Sequence, residues 1–233
     1  MVRYKLSKVL AIVPAYNEEG SLPATIEELT RVAPDVDYLV INDGSRDNTA
    51  QICRDNGYRY VSHPTNLGLT AGVQTGMKYA MRHGYDMAIQ FDADGQHDPA
   101  YIGALVEKMR QTGSDIVIGS RFVTEKKPNS LRMLGSNLIS NMIRLTTGKK
   151  IMDPTSGMRL YNAAAIELFA TQGWASPEPD TLACLIRKGF KVEEVQVSMR
   201  ERSAGESYLN FSRSISYMLN TCTSILFSQW FRS

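Results

Sequence analysis

Short apolar runs alternate with stretches of helical periodicity through the first half of the chain. Val9 to Val13, Tyr38 to Ile41, Tyr58 to Ser62, Met87 to Phe91 and Asp115 to Gly119 read as strands, each too brief and too apolar for a surface helix. Between them, Ser21 to Val32, Asp47 to Asn56 and Leu69 to Arg82 read as helices; in the last, Ala71, Thr75, Lys78 and Tyr79 recur at helical spacing. Asp98-Pro99 has the form of an N-cap followed by proline at the first helical position, which predicts a helix running to Met109. This rhythm predicts an α/β fold with a mostly parallel central sheet flanked by helices. Ligands of such sheets gather at the carboxyl ends of the strands. Pro14, Asp43 and Asp92 each lie just past a strand end, so they are expected to share one crevice.

The second half is less regular. Residues 124–129 have the composition of a loop. Leu131 to Thr147 reads as a helix with Leu134, Leu138, Met142 and Leu145 on one face. Ala163 to Ala170 and Thr181 to Lys188 are expected helices, Val192 to Val197 a strand, and Leu209 to Phe231 a final helix. There is no internal repeat and no low-complexity segment.

Composition narrows the function classes. With 233 residues, 43% hydrophobic and 21% charged, the chain can bury one substantial core or two lobes sharing a cleft. A net charge of +2 argues against a nucleic-acid partner. Cys53, Cys184 and Cys222 are widely spaced, with neither a disulfide framework nor a Cys/His metal cluster, which fits a reducing cytoplasm. The basic start before Val9 leads into an apolar run too short for a signal sequence, so that run is read as the first strand.

The chemistry is densest at Gln90-Phe91-Asp92-Ala93-Asp94-Gly95-Gln96-His97. A strand end carrying Asp-x-Asp suits a hard cation such as Mg²⁺ or Mn²⁺, which takes oxygen ligands and keeps positions open for phosphate. Asp92 and Asp94 are the candidate metal ligands; His97 is left outside that set because the oxygens already suit the ion. Pro14, Tyr16 and Glu18 follow the first strand, and Ile41, Asp43 and Gly44 the second. The Pro14–Tyr16 turn would present a ring at the strand end, Glu18 and Asp43 are hydrogen-bond acceptors, and Gly44 admits close backbone approach. Asp47 is read as a helix cap.

Taken with Asn66-Leu67-Gly68-Leu69, these segments closely resemble the family 2 glycosyltransferases, which use nucleotide-sugar donors on a GT-A-type fold; the likeness runs from Ile12 to about Ser207. It implies that the ring of the Pro14–Tyr16 turn stacks near the nucleobase, that Asp43 contacts base or ribose, that Asp92 and Ala93 lie near ribose and metal, that Asp94 is the principal ligand bridging to the diphosphate, and that Gln96 also contacts the metal. Leu67, Gly68 and Ser207 join the donor site by the same resemblance. The order Gly119-Ser120-Arg121-Phe122, Ser130-Leu131-Arg132, Asp153 to Tyr161 and Arg200 to Ser207 resembles the polyprenyl-phosphate branch, the dolichol-phosphate mannose synthase type. There, arginines matching Arg121, Arg132 and Arg202 gather phosphates of donor and lipid acceptor, a task that suits the planar guanidinium. Arg132 has a surface reading beside this one, and Arg159 could partner Asp153. The sequence departs from the pattern at Tyr208, where lysine often follows.

The implied reaction is metal-dependent transfer with inversion, from a nucleotide sugar, expected to be a UDP-sugar, to a polyprenyl phosphate. If the acceptor is instead a sugar hydroxyl, a carboxylate must take its proton. Asp153 is the candidate near the acceptor; Glu178 and Asp180 are the alternatives, Asp180 reading equally as a residue of a helix start. A nucleotide-sugar-binding protein without turnover is a third reading, which the Asp and Arg set argues against. The expected organisation is one catalytic domain over 1–207, with a donor half (1–120) and an acceptor half (121–207), followed by an amphipathic helix over 208–233. Ser214 to Phe231 carries no charge, but Ser, Thr, Asn and Gln interrupt it, so it is a poor membrane span. It is expected to lie on the inner face of the cell membrane, with packing on the catalytic domain, a homo-oligomer or a small membrane-protein partner as the other readings.

Overall fold

The first strand, β1 (Val9–Ala15), is buried at all but one position, as a central strand covered on both faces must be. The computed structural model describes residues 8–128, 131–200 and 211–231. The other strands are β2 (Val36–Asn42), β3 (Tyr60–Ser62), β4 (Met87–Gln90), β5 (Ile116–Ser120), β6 (Arg159–Asn162) and β7 (Val192–Gln196). They form one seven-stranded sheet in the order β3-β2-β1-β4-β6-β5-β7. All pairings are parallel except those of β6, which runs against both β4 and β5.

Side-chain alternation along β1 divides the core. Leu10 and Ile12 join Leu39, Ile41, Val73 and Met77 on one face, under α3 (Leu69–Arg82) and α6 (Ala163–Thr171). Val9, Ala11 and Val13 join Leu22, Ile26, Leu29, Leu105 and Met109 on the other, under α1 (Leu22–Val32) and α4 (Ile102–Thr112). α2 (Thr49–Asp55) packs on β2. α3 comes so close to β1 that a Cβ on Gly76 would overlap Ile12.

The expected elements are present with shifted ends, and one was not anticipated. β6 is four residues long and passes directly into α6, with the Asn162 side chain accepting from the Ala165 N–H at 2.9 Å, so it shows no readable period. Its direction matters to the site. Gln90 of β4 and Ile118 of β5 both pair with Arg159, so the chain preceding β6 sits at the carboxyl ends of β4 and β5. Asp98 caps as expected, accepting from Ala100 N–H at 2.9 Å, but it opens a 3₁₀ turn that continues into α4.

α5 (Leu131–Thr147), α7 (Pro179–Arg187) and α8 (Phe211–Phe231) pack together, and Ile139, Ile143, Leu182, Leu185 and Ile225 join the same core face as Leu10 and Ile12. The core face of α5 is Met133, Ile139 and Ile143; Leu134, Leu138 and Leu145 point outward at 63%, 46% and 76% exposure. α8 buries Cys222 and Ile225 and exposes Leu219 and Phe227. The two helices touch where Met218 occupies the space a Cβ on Gly135 would need.

Candidate active site

The loops after β1 and β2 are stitched into one wall. Asn17 sits at φ 56, a left-handed conformation that asparagine tolerates, and its Oδ1 accepts from Arg46 N–H at 2.8 Å. Its own N–H donates to Ser45 Oγ at 3.0 Å. Asp47 bridges the loops: Oδ1 accepts from the Thr49 N–H and hydroxyl, Oδ2 from Glu19 N–H. Burial pushes its pKa up, but these bonds outweigh it and hold the carboxyl below the usual range. Pro14 and Tyr16 are half-buried at the end of β1, whereas the Ile41 side chain is fully buried under the sheet and can offer only backbone to a donor.

Asp43 is buried and heavily engaged. Oδ1 accepts from Leu67 N–H at 2.9 Å and faces His63 Nδ1 at 2.7 Å; Oδ2 accepts from Gly68 N–H at 2.8 Å. Of the four acceptor positions of a carboxylate, one on Oδ2 is left. Gly44, at φ 66, lies against the Thr65–Asn66 backbone with no room for a Cβ.

The loop after β4 forms the centre of a cavity of about 350 Å³. Asp92, about a third exposed, and Gln96 are on its wall. Gln90 Nε2 donates to Asp92 Oδ1 at 3.1 Å. His97 is buried; its Nδ1 accepts from Asp92 N–H at 3.0 Å, which leaves the ring hydrogen on Nε2, facing Asp92 Oδ2 at 3.5 Å. An imidazole so placed has no lone pair for a cation and serves Asp92 instead. Asp94 is buried with Oδ1 accepting from Gln96 N–H at 3.0 Å, and the Ala93 carbonyl accepts from Thr25. Gly157 closes over the loop, where a Cβ would stand 2.9 Å from Asp92 Oδ2. Two carboxylates and an amide oxygen fit Mg²⁺ or Mn²⁺, ions that take one or two carboxylates from protein and leave the rest to phosphate and water. Among the described residues no cluster of three His, Cys, Asp or Glu side chains forms a closed cage.

Arg121, after β5, faces the same cavity. Its Nε and one terminal nitrogen donate to the two oxygens of Asp153 at 2.7 and 2.8 Å, and its backbone N–H donates to Oδ2 at 3.1 Å. Asp153 is fully buried, and Glu194 accepts from its N–H at 2.9 Å. The expectation of Asp153 as a proton acceptor is therefore corrected: its oxygens are already occupied, and it aims Arg121. Arg159 does not pair with Asp153. It is buried and donates to the Ser156 and Pro154 carbonyls at 2.9 and 2.6 Å, shaping the 153–158 turn.

Glu178 is the carboxylate on the far wall, at the start of α7. Tyr217 of α8 donates to its Oε2 at 2.5 Å; burial first, then the Glu178 charge, push the phenol well above its usual range, so it stays a donor. Asp180 is off the cavity: Thr181 N–H and Ser224 Oγ donate to it at 2.8 and 2.5 Å, which ties α8 to α7. Arg200 reaches the cavity but is held by Glu28 and Asp98 at 2.7 and 2.9 Å. The Arg132 side chain, Arg202 and Ser207 lie outside the described residues. His63, Glu194 and Tyr217 were not anticipated; none stands in a motif.

Comparison with known proteins bears on family and fold. The model of the family "Glycosyl transferase family 2" matches residues 10–169. An undecaprenyl-phosphate mannosyltransferase of Micrococcus luteus is 34% identical over 217 residues, 87% of this chain and 88% of that protein. A polyprenol monophosphomannose synthase of Mycolicibacterium smegmatis is 31% identical, over 88% of this chain and 82% of its own. Among solved structures, glucosyl-3-phosphoglycerate synthase from Mycobacterium tuberculosis with Mn²⁺, UDP and phosphoglyceric acid superposes with a TM-score of 0.68 at 20% identity, over 93% of this chain and 78% of that one. The last likeness establishes the shared GT-A fold.

Proposed function

The chain belongs to glycosyl transferase family 2, and we propose that it transfers a sugar from a nucleotide-sugar donor to a polyprenyl phosphate, with inversion at the anomeric carbon. The observation that carries this reading is Arg121, aimed into the Asp92–Gln96 cavity by a buried carboxylate with three of its five N–H donors unassigned to protein. Such a fork suits phosphate oxygens. A phosphate oxygen of the acceptor attacks the anomeric carbon as the bond to the nucleoside diphosphate breaks. The charge gathered there favours fixed donors already in place.

The state of the carboxylates supports one acceptor over the other. A hydroxyl acceptor needs a base within reach, whereas an ionised phosphate does not. Asp153 is saturated, Asp180 is tied to Ser224, and Glu178 has one oxygen held by Tyr217. This favours the phosphate over the hydroxyl acceptor. Asp92, Asp94 and Gln96 would hold the divalent cation, which when bound neutralises diphosphate charge. On the donor side, the single acceptor position left on Asp43 matches uracil, whose imide offers one N–H, so we take a UDP-sugar as the donor.

We further propose that the outward leucines of α5 and α8 contact the membrane at its inner, cytoplasmic face. No helix among the described residues is long and apolar enough to cross a bilayer.

The test is transfer of label from UDP- and GDP-sugars to undecaprenyl phosphate. A mild-acid-labile lipid product is expected. Donor hydrolysis or transfer to a hydroxyl acceptor without labelled lipid phosphate would overturn the reading.

A further inference from the structure

Three elements meet at one buried histidine. His63 follows β3, with its side chain only 9% exposed. Nδ1 is 2.7 Å from Asp43 Oδ1, and Nε2 is 2.9 Å from Thr75 Oγ1 on α3. A carboxylate accepts, so Nδ1 donates, and the Thr75 hydroxyl can donate to Nε2. Asp43 also takes the N–H groups of Leu67 and Gly68 at the start of α3. The loop after β2, the loop after β3 and both ends of the first turns of α3 are thus braced through one carboxylate.

We propose that His63 is a positioning residue for nucleoside recognition: it fixes the plane of the Asp43 carboxylate so that the one open position on Oδ2 faces the bound nucleoside. This rests on the reading of the loops after β1, β2 and β3 as the donor site. The backbone N–H groups alone would leave Asp43 hinged about the Leu67–Gly68 edge. The imidazole adds a lateral anchor, and Thr75 stops the ring from turning. His63 touches neither the cavity nor the Asp92–Gln96 loop, so its effect falls on donor affinity and not on the chemical step.

The test is calorimetric titration of the full chain with UDP and, separately, GDP, with donor kinetics alongside. Asn places an amide N–H near the Nδ1 position, whereas Gln places it near Nε2, so the two separate the inner from the outer bond. His63→Ala and His63→Gln should weaken nucleotide binding about tenfold, the size of one lost hydrogen bond to a charged group. His63→Asn should return to within about threefold, and Thr75→Val should cost about threefold, as loss of a weaker neutral bond. Turnover at saturating donor should stay within about twofold throughout, since the transition-state interactions are untouched. Equal weakening by Ala, Asn and Gln would make His63 mere packing and overturn the proposal, as would a fall in saturated turnover with unchanged affinity. Wild-type protein that binds neither nucleotide would remove the donor-site reading itself.

Discussion

Arg121 and Asp153 meet through two side-by-side hydrogen bonds of 2.7 and 2.8 Å, and the carboxylate has no solvent exposure while the guanidinium is 23% exposed. The asymmetry assigns the roles. A buried charge without its partner costs several kcal/mol, so Asp153 is held by Arg121 as much as it aims it.

Asp153→Asn is expected to lower thermal stability by about 3 kcal/mol, through loss of the buried pair. It should also reduce transfer by about a hundredfold, as removal of a preorganised donor does. Arg121→Lys keeps the charge but loses the fork, so it should spare more stability than activity. Calorimetry and initial rates on the two variants check this. Full activity in Asp153→Asn would show that the fork is not needed.

Gly157 leaves a gap that Asp92 fills. In Gly157→Ala the new methyl would stand 2.9 Å from Asp92 Oδ2 and 3.3 Å from Gln90 Nε2, displacing the carboxylate from the cavity. The Mg²⁺ or Mn²⁺ concentration giving half-maximal activity should rise by about tenfold, the cost of one misplaced ligand or its support. Chelation of wild-type protein should abolish transfer, with activity restored by either ion. Unchanged metal dependence in Gly157→Ala would remove Asp92 from the ligand set.

α3 rests on β1 through a glycine. A Cβ at Gly76 would overlap the Ile12 side chain, so Gly76→Ala should destabilise by about 1–3 kcal/mol despite alanine's better helix propensity. Combining it with Ile12→Ala removes all three overlapping atoms, and the double variant should be more stable than the sum of the two singles. Denaturant midpoints for the four proteins measure the coupling; strict additivity would mean that α3 shifts bodily instead.

How far the chain could be read depended on distance along it. Pro14, Asp43 and Asp92 each follow a strand, and parallel strands put their carboxyl ends on one side of the sheet; of the three, Asp92 lines the cavity. The Arg121–Asp153 pair spans 32 residues and depends on β6 running backwards, which four residues without periodicity do not announce. His63 stands alone between a strand and a proline, so only the fold joins it to Asp43 and Thr75. α5 was legible as a helix over Leu131–Thr147 but not in its orientation. It carries two apolar stripes, Leu134–Leu138–Leu145 and Met133–Ile139–Ile143, and periodicity reveals both without saying which one meets the core.

The outward stripe, Leu134–Leu138–Leu145, carries the last prediction. Six of the eleven exposed large hydrophobics among the described residues lie on α5 and α8: Leu134, Leu138, Leu145, Leu219, Leu226 and Phe227. Neither helix contains an aspartate or glutamate, and Arg144 and Lys150 lie exposed near the end of α5. An apolar face free of negative charge and bordered by basic groups suits an anionic bilayer surface. α8 also carries Tyr217 to the cavity, so this helix joins the exposed face to the site. Replacing Leu134, Leu145 and Leu219 by serine should leave the unfolding midpoint nearly unchanged, because these side chains are already in water. The same variant should lose about tenfold or more in sedimentation with anionic vesicles, from the apolar area no longer buried in lipid. Its transfer rate to a short, water-soluble polyprenyl phosphate should hold while transfer to vesicle-borne acceptor falls. Undiminished vesicle binding together with a change in oligomeric state would assign the face to a second copy of the chain.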